Sequence, residues 1–167
     1  MIETLLPIAT FLAAMVMGLA LAHAHAHALE MPGKMRLEHE YYYAVQTIYY
    51  PGFTLGGMTE PLAIITTASV LLIGGISEGR FWLVAGAVIA LVLTQLLFWI
   101  VVQPVNRQWL GSVGLSGAAE HFFRTGEAGG PARVWARLRN RWELGHLARA
   151  ATATAAFTLL LLATKGG

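Results

Sequence analysis

The sequence predicts an all-α fold: an integral membrane four-helix bundle with an additional interfacial amphipathic helix. Three observations carry this reading. The 167 residues are 56% hydrophobic and only 12% charged, with a mean hydropathy of +0.60, whereas soluble domains carry about a quarter charged residues. Four apolar runs recur along the chain, and a tyrosine-rich stretch between the first two has helical spacing. The length suits a single domain, and so apolar a chain is not expected to be a water-soluble enzyme. Cysteine is absent, which removes disulfides, thiolate metal sites, iron–sulfur clusters and cysteine nucleophiles together. The net charge of +2 and pI near 9.2 do not point to nucleic acid, because most basic residues flank apolar runs, where they act as topology signals.

The first run, Leu5 to Ala22, is 18 residues without a charge, about 27 Å of helix against a hydrocarbon core of ~30 Å. Ala22-His23-Ala24 mimics a signal-peptide cleavage site, but Met1-Ile2-Glu3-Thr4 lacks the basic residues of a signal peptide. The segment is expected to remain as a span over about residues 5–29. The second span, about 58–76, has Pro61 in its first turn, where a missing N–H costs nothing. The third, about 80–103, contains 22 uncharged residues from Phe81 to Val102, with Trp82 and Trp99 near its ends as interfacial anchors. The fourth must draw on about 144–164, because the uncharged part, Ala150 to Thr164, is only 15 residues and a crossing helix needs ~17 or more. Arg149 therefore lies at or just inside the membrane boundary.

Between the first two spans, Leu37, Tyr41, Ala44, Val45 and Ile48 recur at helical spacing, which predicts an interfacial helix over about 36–50. The Gly/Ala/Ser-rich stretch of about 111–131 predicts a flexible loop. After it, Ala132 to Leu144 reads as a basic helix running into the fourth span. The connections holding Lys34 and Arg36, and Arg107, Arg124, Arg133, Arg137, Arg139 and Arg141, are far more basic than the opposite face, which has Arg80 and Lys165. The positive-inside rule places both connections in the cytoplasm and both termini outside, periplasmic if the membrane is a bacterial inner membrane.

Up-down order brings the ends of spans one and three and the starts of spans two and four to one membrane face. His23, His27, Glu30, Glu60, Gln103, Asn106, Trp142, Glu143, His146 and Arg149 all fall there. His23, His27 and Glu30 form one helical stripe, while His25 points elsewhere. With Glu143 and His146, spaced Glu-x-x-His, these are candidate ligands for a transition metal such as iron or copper. A haem held by His27 and His146 is a further candidate cofactor. The structural alternative is that His146 and Arg149 pair with Glu30 or Glu60 and close the bundle. Arg149, at membrane depth, is a site candidate in its own right, with snorkelling to the interface as its plain alternative.

Phe98-Trp99 through Pro104-Val105-Asn106, followed by Arg141-Trp142 with His146 and Arg149 ahead of an apolar final span, resembles the anthrone oxygenase-like family of small four-span membrane proteins. The resemblance covers most of the chain through short motifs. It implies that Asn106, Trp142, His146 and Arg149 are the family's recurring polar positions, and that some members oxidise polycyclic phenolic anthrones with O₂. On this basis the chain is expected to be an oxygenase-like oxidoreductase acting on a lipophilic aromatic or quinone-like molecule. His146, Arg149 and Asn106 are then catalytic, and Trp142, Tyr42 and Tyr49 line the substrate. The alternative is a non-enzymatic accessory subunit or small-molecule binder that contacts membrane lipids, itself a homo-oligomer or part of a larger membrane complex.

Overall fold

The computed structural model describes residues 2–74, 76–109 and 132–165. They form α1 (Ile2–Lys34), α2 (His39–Gln46) running into a 3₁₀ turn (Thr47–Tyr49), α3 (Gly52–Gly57), α4 (Thr59–Ile73), α5 (Glu78–Leu97), a π-helical segment (Phe98–Val102), α6 (Gln103–Trp109) and α7 (Ala132–Lys165). No strand occurs among the described residues. The loop expected over about 111–131 lies outside them.

Four helical stretches are long and apolar enough to cross a membrane: Thr4–Lys34, Gly52–Ile73, Glu78–Gln108 and Trp135–Lys165. The protein is an integral membrane four-helix bundle, with α1 and α5 each packed on α4 and α7. Two spans are longer than the apolar runs alone indicate. At 33 and 34 residues, α1 and α7 extend about 50 Å, beyond a ~30 Å core. Their surplus turns lie at the same end of the bundle. By contrast α4 has only 15 residues, about 22 Å, and reaches a spanning length only with α3 in front of it. It stops at Gly74, whose φ of +75° is the left-handed conformation that glycine adopts without steric cost.

The packing follows heptad stripes. Ala13, Met17, Ala20 and Ala24 on α1, Ala63, Thr67 and Val70 on α4, Val84, Ala87, Leu91 and Thr94 on α5, and Ala153, Ala156, Leu160 and Ala163 on α7 are all buried. Their three-and-four spacing is that of left-handed helix packing. Small residues dominate because lipid supplies no hydrophobic driving force between helices, so close backbone approach has to supply contact instead. The large side chains, such as Phe11, Ile65, Leu72 and Ile89, point outward, toward the acyl chains.

The same stripes continue into the polar end. On α1 the next positions are His27 and Lys34, on α4 the preceding one is Glu60, and on α7 the preceding ones are Arg149, His146 and Trp142, all buried. On α5 the register is reset by the π segment. Pro104 has no N–H to give to the carbonyl of Ile100, four residues earlier, and its ring crowds that carbonyl. The extra residue per turn accommodates it, and the freed Ile100 carbonyl accepts from Arg141 Nη2 at 2.9 Å. The widened turn is met by Gly145. A Cβ there would stand 2.8 Å from Val102 Cγ2 and 3.0 Å from Val101 Cγ1, so only glycine lets α7 approach this closely.

The segment expected as an interfacial helix over about 36–50 is shorter and rotated. Its buried residues are Tyr42, Gln46 and Tyr49, while Tyr41 and Ile48 of the expected apolar face are exposed. Hydrogen bonding explains the inversion. Tyr42 donates to Glu143 at 2.5 Å and Tyr49 to Glu30 at 2.5 Å, so the phenols turn inward to meet buried carboxylates, and α2 becomes a cap over the polar end.

Candidate functional site

Beneath that cap is a cavity of about 240 Å³, just under the ~300–1,000 Å³ usual for small-molecule sites. His23 and His27 from α1, Glu60 from α4, Asn106 from α6, and Trp142, His146 and Arg149 from α7 all line it. Residues from all four spanning stretches thus converge at one end, as the up-down order requires.

Two imidazoles form its centre. The His27 and His146 ring centroids are 4.0 Å apart. Trp142 lies 4.1 Å from His146, and Phe53 lies 4.6 Å from His27, so the pair is walled by aromatic rings. Arg149 Nη1 approaches His146 Nδ1 at 3.1 Å. A guanidinium can only donate, so Nδ1 accepts and the ring proton sits on Nε2. That Nε2 is buried without a hydrogen-bond partner, as are His27 Nδ1 and the Gln46 amide nitrogen, although all three residues line the cavity. Buried polar atoms are almost always paired, so unpartnered nitrogens on three of its lining residues single out this cavity as a candidate place for a polar ligand group.

Arg149 is buried against Glu60, with which it forms an ion pair. With the Gln95 amide oriented to suit both neighbours, its nitrogen donates to the second Glu60 oxygen at 2.9 Å and its oxygen accepts from Trp99 Nε1 at 3.3 Å. The expected pairing of Arg149 with Glu60 is therefore present, and it coexists with a cavity. Asn106 accepts from Trp142 Nε1 at 2.7 Å and donates to Gln103 at 3.3 Å. Arg149 and Asn106 are thus engaged with protein partners, the first orienting His146 and the second orienting Trp142.

The five candidate metal ligands divide. His23, His27 and His146 stay together, with His23 and His27 at 5.8 Å between centroids. Glu30 turns to Tyr49, and Glu143 to Tyr42. Lys34 Nζ sits between them, 3.2 Å from Glu143 and 3.8 Å from Glu30. Among the described residues no three His, Asp or Glu side chains are grouped to hold a metal ion. With ring centroids 4.0 Å apart and planes tilted by 40°, His27 and His146 also leave no room for a porphyrin between them. With Glu30 and Glu143 committed to phenols and an ammonium, the expected mixed His/carboxylate donor set is not assembled.

Other placements depart from expectation. Tyr49 lines the cavity but Tyr42 does not, since its hydroxyl is turned to Glu143 behind the wall. His25 is on the far side of α1, its Nδ1 3.1 Å from the Leu21 carbonyl. Lys34, read as a topology signal, is buried and stands 4.3 Å from the Trp142 ring centroid, in cation–π contact. Its sequence signal was the i, i+4 spacing from Glu30. Gln46, Phe53 and Gln95 were not among the expected site residues; only continuation of the buried stripes could have flagged Gln95, one residue from Thr94.

Outside the spans, burial pushes the Tyr42 phenol well above its ordinary range, reinforced by the Glu143 charge and hydrogen bond. Burial does the same to Tyr49, with Glu30 adding to it. Both phenols therefore remain donors to their carboxylates.

A family model described as anthrone oxygenase matches residues 46–159. The chain belongs to the anthrone oxygenase family. No curated protein matches it. No solved structure matches it either. The matched span begins at Gln46 in the cap and includes Glu60, Asn106, Trp142, His146 and Arg149, but leaves His23, His27 and Lys34 outside. The N-terminal half of the site is therefore contributed by the part of the chain that the family match does not reach.

Proposed function

We propose that the protein is an oxygenase of lipophilic aromatic molecules of the anthrone kind, ring ketones with an acidic CH₂ flanked by aryl groups. The observation that carries this is the pair of buried imidazoles with unpartnered nitrogens in an aromatic cavity. The aromatic walls suit a flat hydrophobic substrate, and the two nitrogens suit a proton donor and a proton acceptor on it.

His27 Nδ1 takes a proton from the CH₂, and His146 Nε2–H donates to the carbonyl oxygen as it gains charge. Arg149 acts through His146, since its hydrogen bond to Nδ1 keeps the proton on Nε2. Glu60 in turn holds Arg149. The resulting electron-rich enolate transfers an electron to O₂, and the radical pair joins to form a C–O bond. Protonation gives a hydroperoxide. Loss of the second C–H proton and cleavage of the O–O bond release water and leave a C=O, so that CH₂ and O₂ become C=O and H₂O. The protein's residues supply the proton transfers, orientation and exclusion of water, and O₂ is the oxidant.

Discounting Lys34 and Arg141, which have internal partners, the two connections at the cavity end still carry six basic residues against two at the other end. This supports a cytoplasmic cavity with both termini outside, periplasmic if the membrane is a bacterial inner membrane.

The test uses dithranol, a dihydroxyanthrone, added to the protein in lipid nanodiscs under O₂, with quinone formation followed by absorbance. Wild-type protein should accelerate the conversion. His27→Ala and His146→Ala should each lower kcat by about 10²–10⁴-fold, as loss of a general acid or base does, while far-ultraviolet circular dichroism stays helical. Conversion no faster than in empty nanodiscs, or variants as fast as wild type, would sink the reading.

A further inference from the structure

The residues lining the cavity differ in exposure from one side to another. Toward the cap, Tyr49, Gln46 and Trp142 are buried, and Tyr49 is hydrogen-bonded to Glu30. Toward the bundle centre, the stripes of α1, α5 and α7 close on one another. Two lining residues are exposed on their outer side: Met58, 64% exposed just before α4, and Trp99, 47% exposed on the π segment. Both belong to the membrane-spanning stretches Gly52–Ile73 and Glu78–Gln108.

Their neighbours on the outer surface are Leu55 and Leu62 on one side and Leu96 and Ile100 on the other, all exposed. In a spanning helix such a surface faces acyl chains rather than water. Across the bundle the π segment packs chiefly on α7. Immediately inside stand Gln95 and Glu60, which tie Trp99 to Arg149 and so to His146.

We infer that the substrate reaches the cavity sideways from the bilayer, through a portal between the start of α4 and the π segment, with Met58 and Trp99 as its two posts. The inference rests on the proposed function for the nature of the substrate, a planar lipophilic aromatic ketone. Such a molecule partitions into the bilayer by the hydrophobic effect. A lateral opening spares it a passage through water and past the hydrogen-bonded cap. The side chains at the opening are apolar or aromatic, with a single hydrogen-bond donor, Trp99 Nε1, held back by Gln95. The first charged group met on the way in is Glu60, already neutralised by Arg149.

The absence of cysteine from the chain makes the test direct. Met58→Cys is purified in nanodiscs and its single thiol is alkylated with bimane after folding, so that the fold is not at stake. Dithranol is then mixed in without O₂, and its arrival is followed by quenching of tryptophan fluorescence, since Trp99 and Trp142 line the cavity. The bimane adduct should slow the association rate by about tenfold or more relative to the same variant unalkylated, since an added conformational obstacle acts on the on-rate. The same adduct on Leu72→Cys, a lipid-facing position at the far end of α4 that is 86% exposed, should leave the rate unchanged. An unchanged rate with bimane at Met58, or equal slowing from both positions, overturns the portal while leaving the functional reading intact. Failure of dithranol to bind the wild-type protein overturns both.

Discussion

Replacing Glu60 with alanine isolates the energetic core of the site. The carboxylate is 2% exposed and its partner Arg149 is 3% exposed, so neither charge has water to fall back on. Removing one member of a buried pair typically costs about 3–5 kcal/mol, because the other is left as an uncompensated buried charge. The upper part of that range applies here, since Gln95 also loses the acceptor of its 2.9 Å hydrogen bond. Replacing both members by apolar residues of similar volume removes that penalty, so the Glu60→Leu/Arg149→Met double variant should be more stable than the Glu60→Ala single variant by about 2 kcal/mol or more. Reversible unfolding in mixed micelles, followed by circular dichroism, measures both. The double variant should nevertheless fail to convert dithranol, because nothing then holds the His146 proton on Nε2. A single variant that loses less than about 1 kcal/mol would show the pair to be solvated and refute the reasoning. A fully active double variant would remove Arg149 from the mechanism.

Gly145→Ala places a methyl 2.8 Å from Val102 Cγ2 and should cost about 1–3 kcal/mol by overpacking, read as a lowered unfolding midpoint and partly restored by Val102→Ala. Tyr42 and Tyr49, whose phenols are pushed up, should stay protonated in the folded protein at pH values where free tyrosine ionises, near 10.0, as followed by ultraviolet difference absorbance. The linkage has a definite sign: the unfolded chain loses these protons first, so the stability the buried phenols contribute is intact below about pH 10 and declines as pH rises beyond it. Tyr42→Phe should weaken that alkaline decline; a decline of unchanged steepness would mean that Tyr42 titrates normally.

The residue pattern alone reached the bundle, the four spans and the end at which the polar groups gather, because spanning length and up-down connectivity leave few arrangements. It also picked out His27, Trp142, His146 and Arg149, which stand on heptad stripes whose apolar part is plain. It misjudged the cap, where Tyr41 and Ile48 satisfied the hydrophobic period but Tyr42 and Tyr49 were drawn inward by Glu143 and Glu30. A short amphipathic segment has two nearly equivalent faces, and the choice depended on carboxylates about 100 and 19 residues away in the chain.

What the order of residues determined by itself is therefore what local length, period and backbone chemistry govern: the crossings, the inward stripes and the backbone disturbance ahead of Pro104. Only the tertiary structure decided which charges pair. It gave Lys34 to Glu30 and Glu143, gave Arg149 to Glu60, and left His27 and His146 in contact with nitrogens unclaimed. The reason is physical: a buried charge takes whichever opposite charge the packed helices bring within reach, and that is a property of the assembled bundle rather than of any one segment.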